Sequence, residues 1–330
     1  MLRASAALLL ATALMSPQSV QADDMSIALS RLRIEGATPG SYRADNDAFV
    51  RLVSQLGFAL AAPNLAPART TGYRGFYIGF ETSVAGIDNG ADYWALGTEG
   101  DAMSTGRNRF VASTLTSSRL ALRKGLPYGL EVGVSLGRFY NTDSWIWGGE
   151  LRIALLEGFR EGAMGFIPDL AVRGAVRTLT GESEMHITVP SLDFIASKPI
   201  VLGGAVVFTP IIAAQLMWIV ADSELVDLTP DRNAFAECGV SPGQPPQMAN
   251  SNILCTNGPG SEQDLNNNAV FNDVRAFRAR MSIGAELRYR VFTLNAAIHW
   301  DLKAPGDIDA DVPDDLPRQW DFAVGLGATY

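Results

Sequence analysis

The segment from Phe277 to Tyr289 alternates between apolar residues and polar or small residues over its whole length. A period of two is the pattern of a β-strand whose two faces meet different surroundings. Strands in soluble proteins usually have about five or six residues, whereas a tilted strand that crosses a membrane needs about ten. The length and strictness of this alternation therefore predict a membrane-spanning strand.

Nine further segments repeat this pattern with varying regularity. The fold class predicted is all-β, an antiparallel up-and-down transmembrane β-barrel of about ten strands with a short N-terminal helical segment. Eight or twelve strands are the alternatives, because single-chain bacterial barrels have even strand numbers. The segment 108–123 alternates poorly, and 200–221 is apolar on both faces. The ten predicted strands are 73–87, 108–123, 127–140, 144–156, 166–180, 183–196, 200–221, 271–290, 292–302 and 317–330.

Connection lengths and aromatic residues predict the direction of the strands. If the first strand starts on the periplasmic side, the long connections 88–107, 222–270 and 303–316 all fall outside, and short turns fall inside. Aromatic residues then gather at the strand ends, as in the girdles at the two membrane interfaces. The outer girdle would contain Tyr140, Trp145, Trp147, Trp218, Trp300 and Trp320, and the inner one Tyr128, Phe166, Tyr289, Phe292 and Tyr330.

The final strand, Trp320–Tyr330, alternates up to its terminal aromatic residue. With Trp320, Phe322 and Tyr330 on one face, it resembles the β-signal that the assembly machinery reads in Gram-negative outer-membrane proteins, with Tyr330 in place of the usual Phe. The resemblance covers 73–330 as a pattern and indicates no specific family. It implies a location in the cell outer membrane, with lipid, lipopolysaccharide and the assembly machinery as partners.

The N-terminus has the order of parts found in a secretory signal peptide. Arg3 supplies a positive charge, Ala4 to Met15 is an apolar run too short to span a bilayer, and 20–22 is a small-residue cleavage site. We expect residues 1–22 to be removed on export.

Residues 23–72 differ from the rest and are predicted to form a periplasmic helical segment and linker, followed by the barrel at 73–330. Apolar residues at helical spacing predict a helix from Asn46 to Ala61, which Asp45 or Asp47 would cap. Two prolines, Pro63 and Pro67, end the pattern. This segment could cover or enter the barrel mouth, or be a flexible leader.

Cys238 and Cys255 are the two cysteines of the chain and lie in one polar stretch. Export to an oxidising compartment predicts a disulfide between them, which would stabilise the fold by roughly 3 kcal/mol on the loop-entropy model. Two free thiols are the alternative. The net charge of −9 argues against nucleic acid as a partner. No cofactor and no metal site is expected, since two histidines without cysteine partners make a poor one.

The polar faces of the strands would line the lumen, where charged side chains are the candidate contacts for small solutes. In a narrow barrel these groups mainly pair with each other, whereas an arginine-rich face could select anionic solutes. The candidates are Arg278, Arg280, Arg288, Arg290, Glu286, Arg152, Glu150, Arg173 and Arg177.

The charged lumen favours a small-solute pore or transport channel. The first alternative is a structural or surface-binding barrel that acts through the outer loops 88–107 and 222–270. A hydrolase at the lumen mouth is less favoured. Both histidines, His186 and His299, are predicted to face inward, but neither has a serine in a nucleophile motif beside it. We therefore do not expect an enzyme.

Overall fold

The computed structural model describes residues 24–37, 40–100, 106–158, 166–230 and 267–330, and the backbone of the short strands Met248–Ala249, Asn252–Cys255 and Gly258–Pro259. Ten long strands form one antiparallel sheet. They are β1 (Phe76–Gly86), β2 (Thr114–Gly125), β3 (Leu130–Phe139), β4 (Trp145–Leu156), β5 (Asp169–Thr180), β6 (Met185–Ser197), β7 (Val206–Ser223), β8 (Val274–Tyr289), β9 (Phe292–Asp301) and β10 (Trp320–Thr329).

Each strand pairs with its neighbour in the chain, and β10 pairs with β1, so the sheet closes into a barrel. At the seam, Tyr330 N donates to Phe76 O at 2.8 Å and Phe76 N donates to Tyr330 O at 2.9 Å. Closure leaves none of the ten long strands with an unpaired edge, which is the condition for β-structure in a membrane. The predicted ten-stranded up-and-down barrel is confirmed.

The two ends of the barrel differ in their connections. At one end, which we call the turn end, Arg290 and Val291 suffice to join β8 to β9. At the other, the loop end, the connections 87–113, 224–273 and 302–319 are long. The remaining elements are the helices α1 (Asn46–Leu60) and α2 (Asp92–Leu96), the paired strands Arg33–Glu35 with Tyr42–Ala44 and Val226–Asp227 with Asn268–Ala269, the strand Ile200–Leu202, and the 3-10 turns Leu29–Arg31, Pro127–Gly129 and Pro305–Asp307.

The barrel exterior is apolar, with aromatic side chains near both ends. Trp218 and Phe277 pack against each other at 5.3 Å near the loop end, and Phe76 and Tyr330 do so at 5.7 Å at the turn end. An apolar band between two aromatic girdles is the surface that a bilayer requires. Of the predicted girdle residues, Trp300 is half-buried and the others are exposed: Tyr140, Trp145, Trp147, Trp218, Trp320, Tyr128, Phe166, Tyr289, Phe292 and Tyr330.

Two strand predictions differ from the structure. The strand predicted at 108–123 begins only at Thr114. The segment 200–221 forms a hairpin whose first arm is the short strand Ile200–Leu202 and whose second arm is the beginning of β7. The chain turns back between them because Gly203 and Gly204 both have positive φ angles of about 60°. Glycine adopts this conformation without steric cost.

Helix α1 begins where the sequence predicts. The Asp45 side chain accepts a hydrogen bond from the backbone N–H of Ala48 at 3.0 Å, which caps one of the free donors of the first turn. Among the described residues, no helix has the length and apolar character needed to cross a membrane.

The N-terminal segment runs through the interior of the barrel. Residues 24–37 and 40–45 lie at the loop end, α1 lies inside the adjoining half of the barrel, and 61–71 continue to the turn end, where β1 starts. The periplasmic location expected for this segment stays a prediction. Its helix lies in the loop-end half of the barrel, where its apolar face packs on Met217 and Ile219 of β7.

Candidate functional site

The candidate site is the filled lumen together with the cap above it. By the cap we mean residues 24–37 and 40–45, and by the linker residues 61–71. Cap and linker have no sheet partners in the barrel, so their buried backbone groups need other partners. Loops and lumen side chains supply them.

The cap bonds to connections all around the loop end. Met25 N donates to Asn141 O at 3.0 Å, and Ala28 N donates to Gly97 O at 3.0 Å. Tyr42 N donates to the side chain of Asn267 at 2.9 Å. The cap thereby joins the connections after β3, β1 and β7 into one surface.

Two glutamates of the turn between β5 and β6 also hold the cap. Glu182 accepts from Ile27 N at 3.2 Å, and Glu184 accepts from Leu29 N. Burial raises the pKa of both carboxyl groups above the usual value. Both glutamates thus bind the cap from the turn.

Helix α1 joins the cap to the barrel wall. Gln55 Oε1 accepts from Trp94 Nε1 of α2 at 2.6 Å and from Asp88 N at 3.1 Å. Phe49 packs on Phe271 at 4.9 Å. Gly57 lies so close to β7 that a Cβ atom there would stand 2.6 Å from Cγ2 of Ile219. The loop-end half of the interior is therefore a hydrophobic core rather than a channel.

Two of the predicted lumen arginines bind the C-terminal half of α1. Arg278 donates to Ser54 O at 2.8 Å and pairs with Asp301. Arg280 donates to Phe58 O at 3.3 Å and to Ala62 O at 3.1 Å. The carbonyl end of a helix carries partial negative charge and favours cations. Arg280 thus satisfies carbonyl groups at the end of the helix, and Arg278 contacts the helix one turn earlier.

Below the helix, the linker is held by polar side chains of the wall. Arg173 donates to Ala62 O and to Pro63 O, both at 3.1 Å, while it pairs with Asp193 at 2.8 Å. Gln215 Nε2 donates to Ala62 O at 2.8 Å. Extended backbone that contains proline offers carbonyls without matching donors, and the arginine forks satisfy them.

One histidine is part of this anchorage. Asn64 N donates to His299 Nε2 at 2.9 Å, and His299 Nδ1 lies 3.0 Å from Asp321 Oδ2. Because Nε2 accepts, the neutral ring carries its proton on Nδ1, facing the carboxylate. His186, which was predicted to face inward, is instead exposed beside Glu224, because the inward positions of β6 are the odd ones from Met185 to Ser197. The two histidines therefore do not form one site.

The linker leaves the lumen through a second group of contacts at the turn end. Ala68 N donates to Ser197 Oγ at 2.9 Å, and Thr71 N donates to Glu131 Oε2 at 2.8 Å. Arg152 donates to Pro67 O at 3.2 Å. These contacts fix the linker along the half of the barrel next to the turn end.

The remaining lumen charges mostly pair across strands. Arg119 binds Glu81 at 2.7 Å, and Arg152 binds Glu131 at 3.0 Å. Arg173 also approaches Glu150 at 3.2 Å. Buried charges persist in a low-dielectric interior when they are paired and hydrogen-bonded. The pairing expected from the sequence is present, and linker carbonyls take part in it.

Most of the nine predicted solute contacts do lie in the lumen. Arg288 and Glu286 line the turn-end mouth. Arg290 does not face inward, because it forms the β8–β9 turn with a φ of 55° and stacks on Tyr289 at 5.5 Å. The members inside the barrel are Arg278, Arg280, Arg288, Glu286, Arg152, Glu150, Arg173 and Arg177.

Two small cavities adjoin the linker. A cavity of about 20 Å³ lies between the linker and β1–β5, and another of about 70 Å³ lies at the turn-end mouth. Such volumes hold from one to a few water-sized particles. Within the described ranges, no group of three or more His, Cys, Asp or Glu side chains is arranged to hold a metal ion.

The predicted disulfide lies outside the described residues. Cys238 is not described, and of Cys255 the structure gives only the backbone, in the short strand Asn252–Cys255. The disulfide therefore stays a prediction.

No protein-family model matches the chain, and no curated protein matches it. Among solved structures it is similar to the outer membrane protein OprG from Pseudomonas aeruginosa, with a TM-score of 0.29 and 11% identity over 79% of this chain and 98% of that chain. It is also similar to Neisserial surface protein A (TM-score 0.27, 9% identity, 77% and 96% coverage) and to the N-terminal β-barrel domain of OprF from Pseudomonas aeruginosa (0.25, 11%, 78% and 99%). Similarity this low carries no functional argument. The chain is a β-barrel of the outer-membrane type on the evidence of its own closed strand order and apolar exterior.

Proposed function

We propose that this protein is exported by residues 1–22, resides in the outer membrane as a closed barrel, and acts through the capped loop end at the cell surface. Its natural partners are then lipid and lipopolysaccharide around the barrel and a ligand at the cap. This is the structural or surface-binding alternative rather than an open pore.

The observation that carries this proposal is the occupied lumen. The linker is bound from Ala62 to Thr71 by side chains of the wall, and α1 fills the barrel above it. Arginines that a selectivity filter would offer to solutes are engaged with backbone carbonyls, as in the case of Arg173 and Arg280. We therefore expect these contacts to close the lumen to ions and solutes.

The cap supports action at the loop end. Backbone N–H groups of the cap donate hydrogen bonds to carboxylates of the loops, as Ile27 does to Glu182. A loop surface held together by such hydrogen bonds keeps one arrangement before a partner binds, which lowers the entropic cost of binding. The turn end offers short connections instead.

Planar-bilayer recordings test the closed state. The mature chain should give no steady conductance, whereas a variant that lacks residues 24–71 should conduct ions. A variant that lacks residues 24–37 keeps α1 and the linker and should stay silent, which separates the loss of the cap from the loss of the lumen filling. Arg173→Gln with Arg280→Gln provides a full-length variant whose linker is loosened, and it should show intermittent conductance.

Steady conductance of the intact chain would contradict a closed barrel and would favour the solute pore with an arginine-lined lumen.

A regulated channel is the second candidate function, and the polar character of the linker contacts favours it. Such a channel would be silent at rest and open under a defined stimulus such as membrane voltage.

The side on which the cap acts is tested with epitope tags. A tag inserted after residue 23 should be detected by antibody on intact cells, because the adjoining cap lies at the loop end. A tag between Gly203 and Gly204, at the turn end, should be detected only after the outer membrane is permeabilised. The reverse result would place the cap in the periplasm.

A further inference from the structure

The cavity between the linker and β1–β5 is lined by more positive than negative side chains. Its wall includes Arg123, Arg152, Arg173 and Arg177, against Glu81 and Glu150. It is buried in the middle of the barrel, below α1.

Arg177 is the cation of this cavity that lacks a partner. It is 6% exposed, makes no ion pair with any described residue, and its Nε atom has no hydrogen-bonding partner among them. The neighbouring cations are better satisfied, since Arg173 binds both Glu150 and Asp193. A buried cation without a counter-charge is costly by several kcal/mol.

Further N–H groups around the cavity are also without protein partners. They are Nε and Nη2 of Arg152 and Nε of Arg123. Three guanidinium groups thus bring free donors to one small space. Around this space, five arginines (Arg119, Arg123, Arg152, Arg173 and Arg177) meet four carboxylates (Glu81, Glu131, Glu150 and Asp193), an excess of one positive charge.

The strands keep the space free with glycines. A Cβ atom on Gly148 would stand 2.4 Å from Ser135 Oγ and 3.4 Å from Cγ of Arg177, and one on Gly133 would stand 2.7 Å from Cγ of Glu150. Larger residues at these two positions would push the charged side chains into the cavity. The wall is therefore shaped around the guanidinium groups.

We propose that this cavity binds a single halide ion, chloride under ordinary conditions. The volume of about 20 Å³ admits a particle of about the size of a water molecule, which favours a monatomic anion over the larger phosphate or carboxylate ions. Water could accept from the free donors but would leave the charge of Arg177 unbalanced. Chloride supplies both the acceptor and the charge, and it bridges Arg123 of β2, Arg152 of β4 and Arg177 of β5.

Bromide replaces chloride in the first experiment. Crystals of the mature chain grown in sodium bromide should show an anomalous-scattering peak in the cavity beside Nε of Arg177. An ordered water at that position, without anomalous signal, overturns the proposal.

Thermal unfolding in detergent provides the second measurement. At constant ionic strength, the melting temperature should be about 2–4 °C higher in sodium chloride than in sodium gluconate. Arg177→Gln keeps hydrogen-bonding capacity but removes the charge, and it should abolish this difference. Arg288→Gln makes the same change of charge outside the cavity and should retain it. A halide effect that persists in Arg177→Gln, or that is missing from the parent chain, overturns the site. The bromide peak decides the matter if Arg177→Gln fails to fold.

Discussion

The backbone N–H of Asn64 donates to Nε2 of His299 across 2.9 Å in the middle of the barrel. The side chain of His299 is completely buried, and its other ring nitrogen faces Asp321. A residue of β9 thus holds both the linker and a carboxylate of the final strand.

Replacing His299 with phenylalanine should destabilise the barrel by about 1–3 kcal/mol, because a buried N–H group and a buried carboxylate lose their partner at once. Denaturant unfolding in detergent measures the change. His186→Phe is the matched control, since His186 is exposed in an ion pair with Glu224, and it should shift stability by less than about 1 kcal/mol. Equal effects of the two substitutions would contradict the anchoring role of His299.

Gly57→Val should displace α1 from β7, because even a Cβ atom at this position would overlap Ile219. Overpacking of this kind typically costs about 1–3 kcal/mol. Residues 24–60 should then become sensitive to added protease. Ile219→Ala in the same chain should restore part of the protection. Gly174→Val is the control, because a Cβ at Gly174 meets no atom within 4 Å. Unchanged protection in Gly57→Val would show that the helix does not depend on this contact.

Docking of the cap should tighten as the pH falls from neutral towards the usual carboxyl pKa of 4.5. Burial raises the pKa of Glu182 and Glu184 in the folded chain. A raised carboxyl pKa means that the folded state binds protons more tightly than the unfolded state, so stability is lost as the pH rises through the raised value. Amide exchange at Ile27 and Leu29, corrected for intrinsic rates, should be slower at about pH 5 than at about pH 7.

The double variant Glu182→Gln, Glu184→Gln carries no charge at either pH. Its amide protection at Ile27 and Leu29 should therefore be independent of pH over the same range. Stronger protection of the parent chain at neutral pH would reverse the sign of this linkage and contradict it.

Cys238 and Cys255 should resist a maleimide reagent until the purified chain is reduced. The expected disulfide restricts the unfolded chain and should contribute roughly 3 kcal/mol to stability. Cys238→Ser should leave Cys255 reactive without reduction, which confirms that the reagent reaches this loop. Labelling of both cysteines in the untreated chain would show two free thiols.

The strands could be predicted from the sequence because each must face lipid on one side and the lumen on the other, and a period of two records that difference residue by residue. Errors arose where the pattern meets a turn or a change of phase. Arg290 continues the alternation of β8 but lies in the turn, and His186 falls on the outward phase of β6.

The sequence left open whether residues 23–72 cover or enter the barrel mouth or form a flexible leader, although a signal for a filled lumen was present. Strand β7 is apolar on both faces, and its inward residues, among them Met217 and Ile219, pack on α1. A barrel strand needs an apolar inner face only when something other than water lies inside. The linker gives no such signal, because it is bound through backbone carbonyls such as those of Pro63 and Pro67. Every residue has a backbone carbonyl, so the sequence does not reveal these contacts.

The N-terminal segment passes through the barrel that the rest of the same chain forms. At one end it is held by the cap, with its paired strands Arg33–Glu35 and Tyr42–Ala44, and at the other end it continues covalently into β1. Such an interlock holds without high affinity, and dilution does not release it. The pairing of β10 with β1 at Phe76 and Tyr330 therefore closes the sheet around a segment of the same chain.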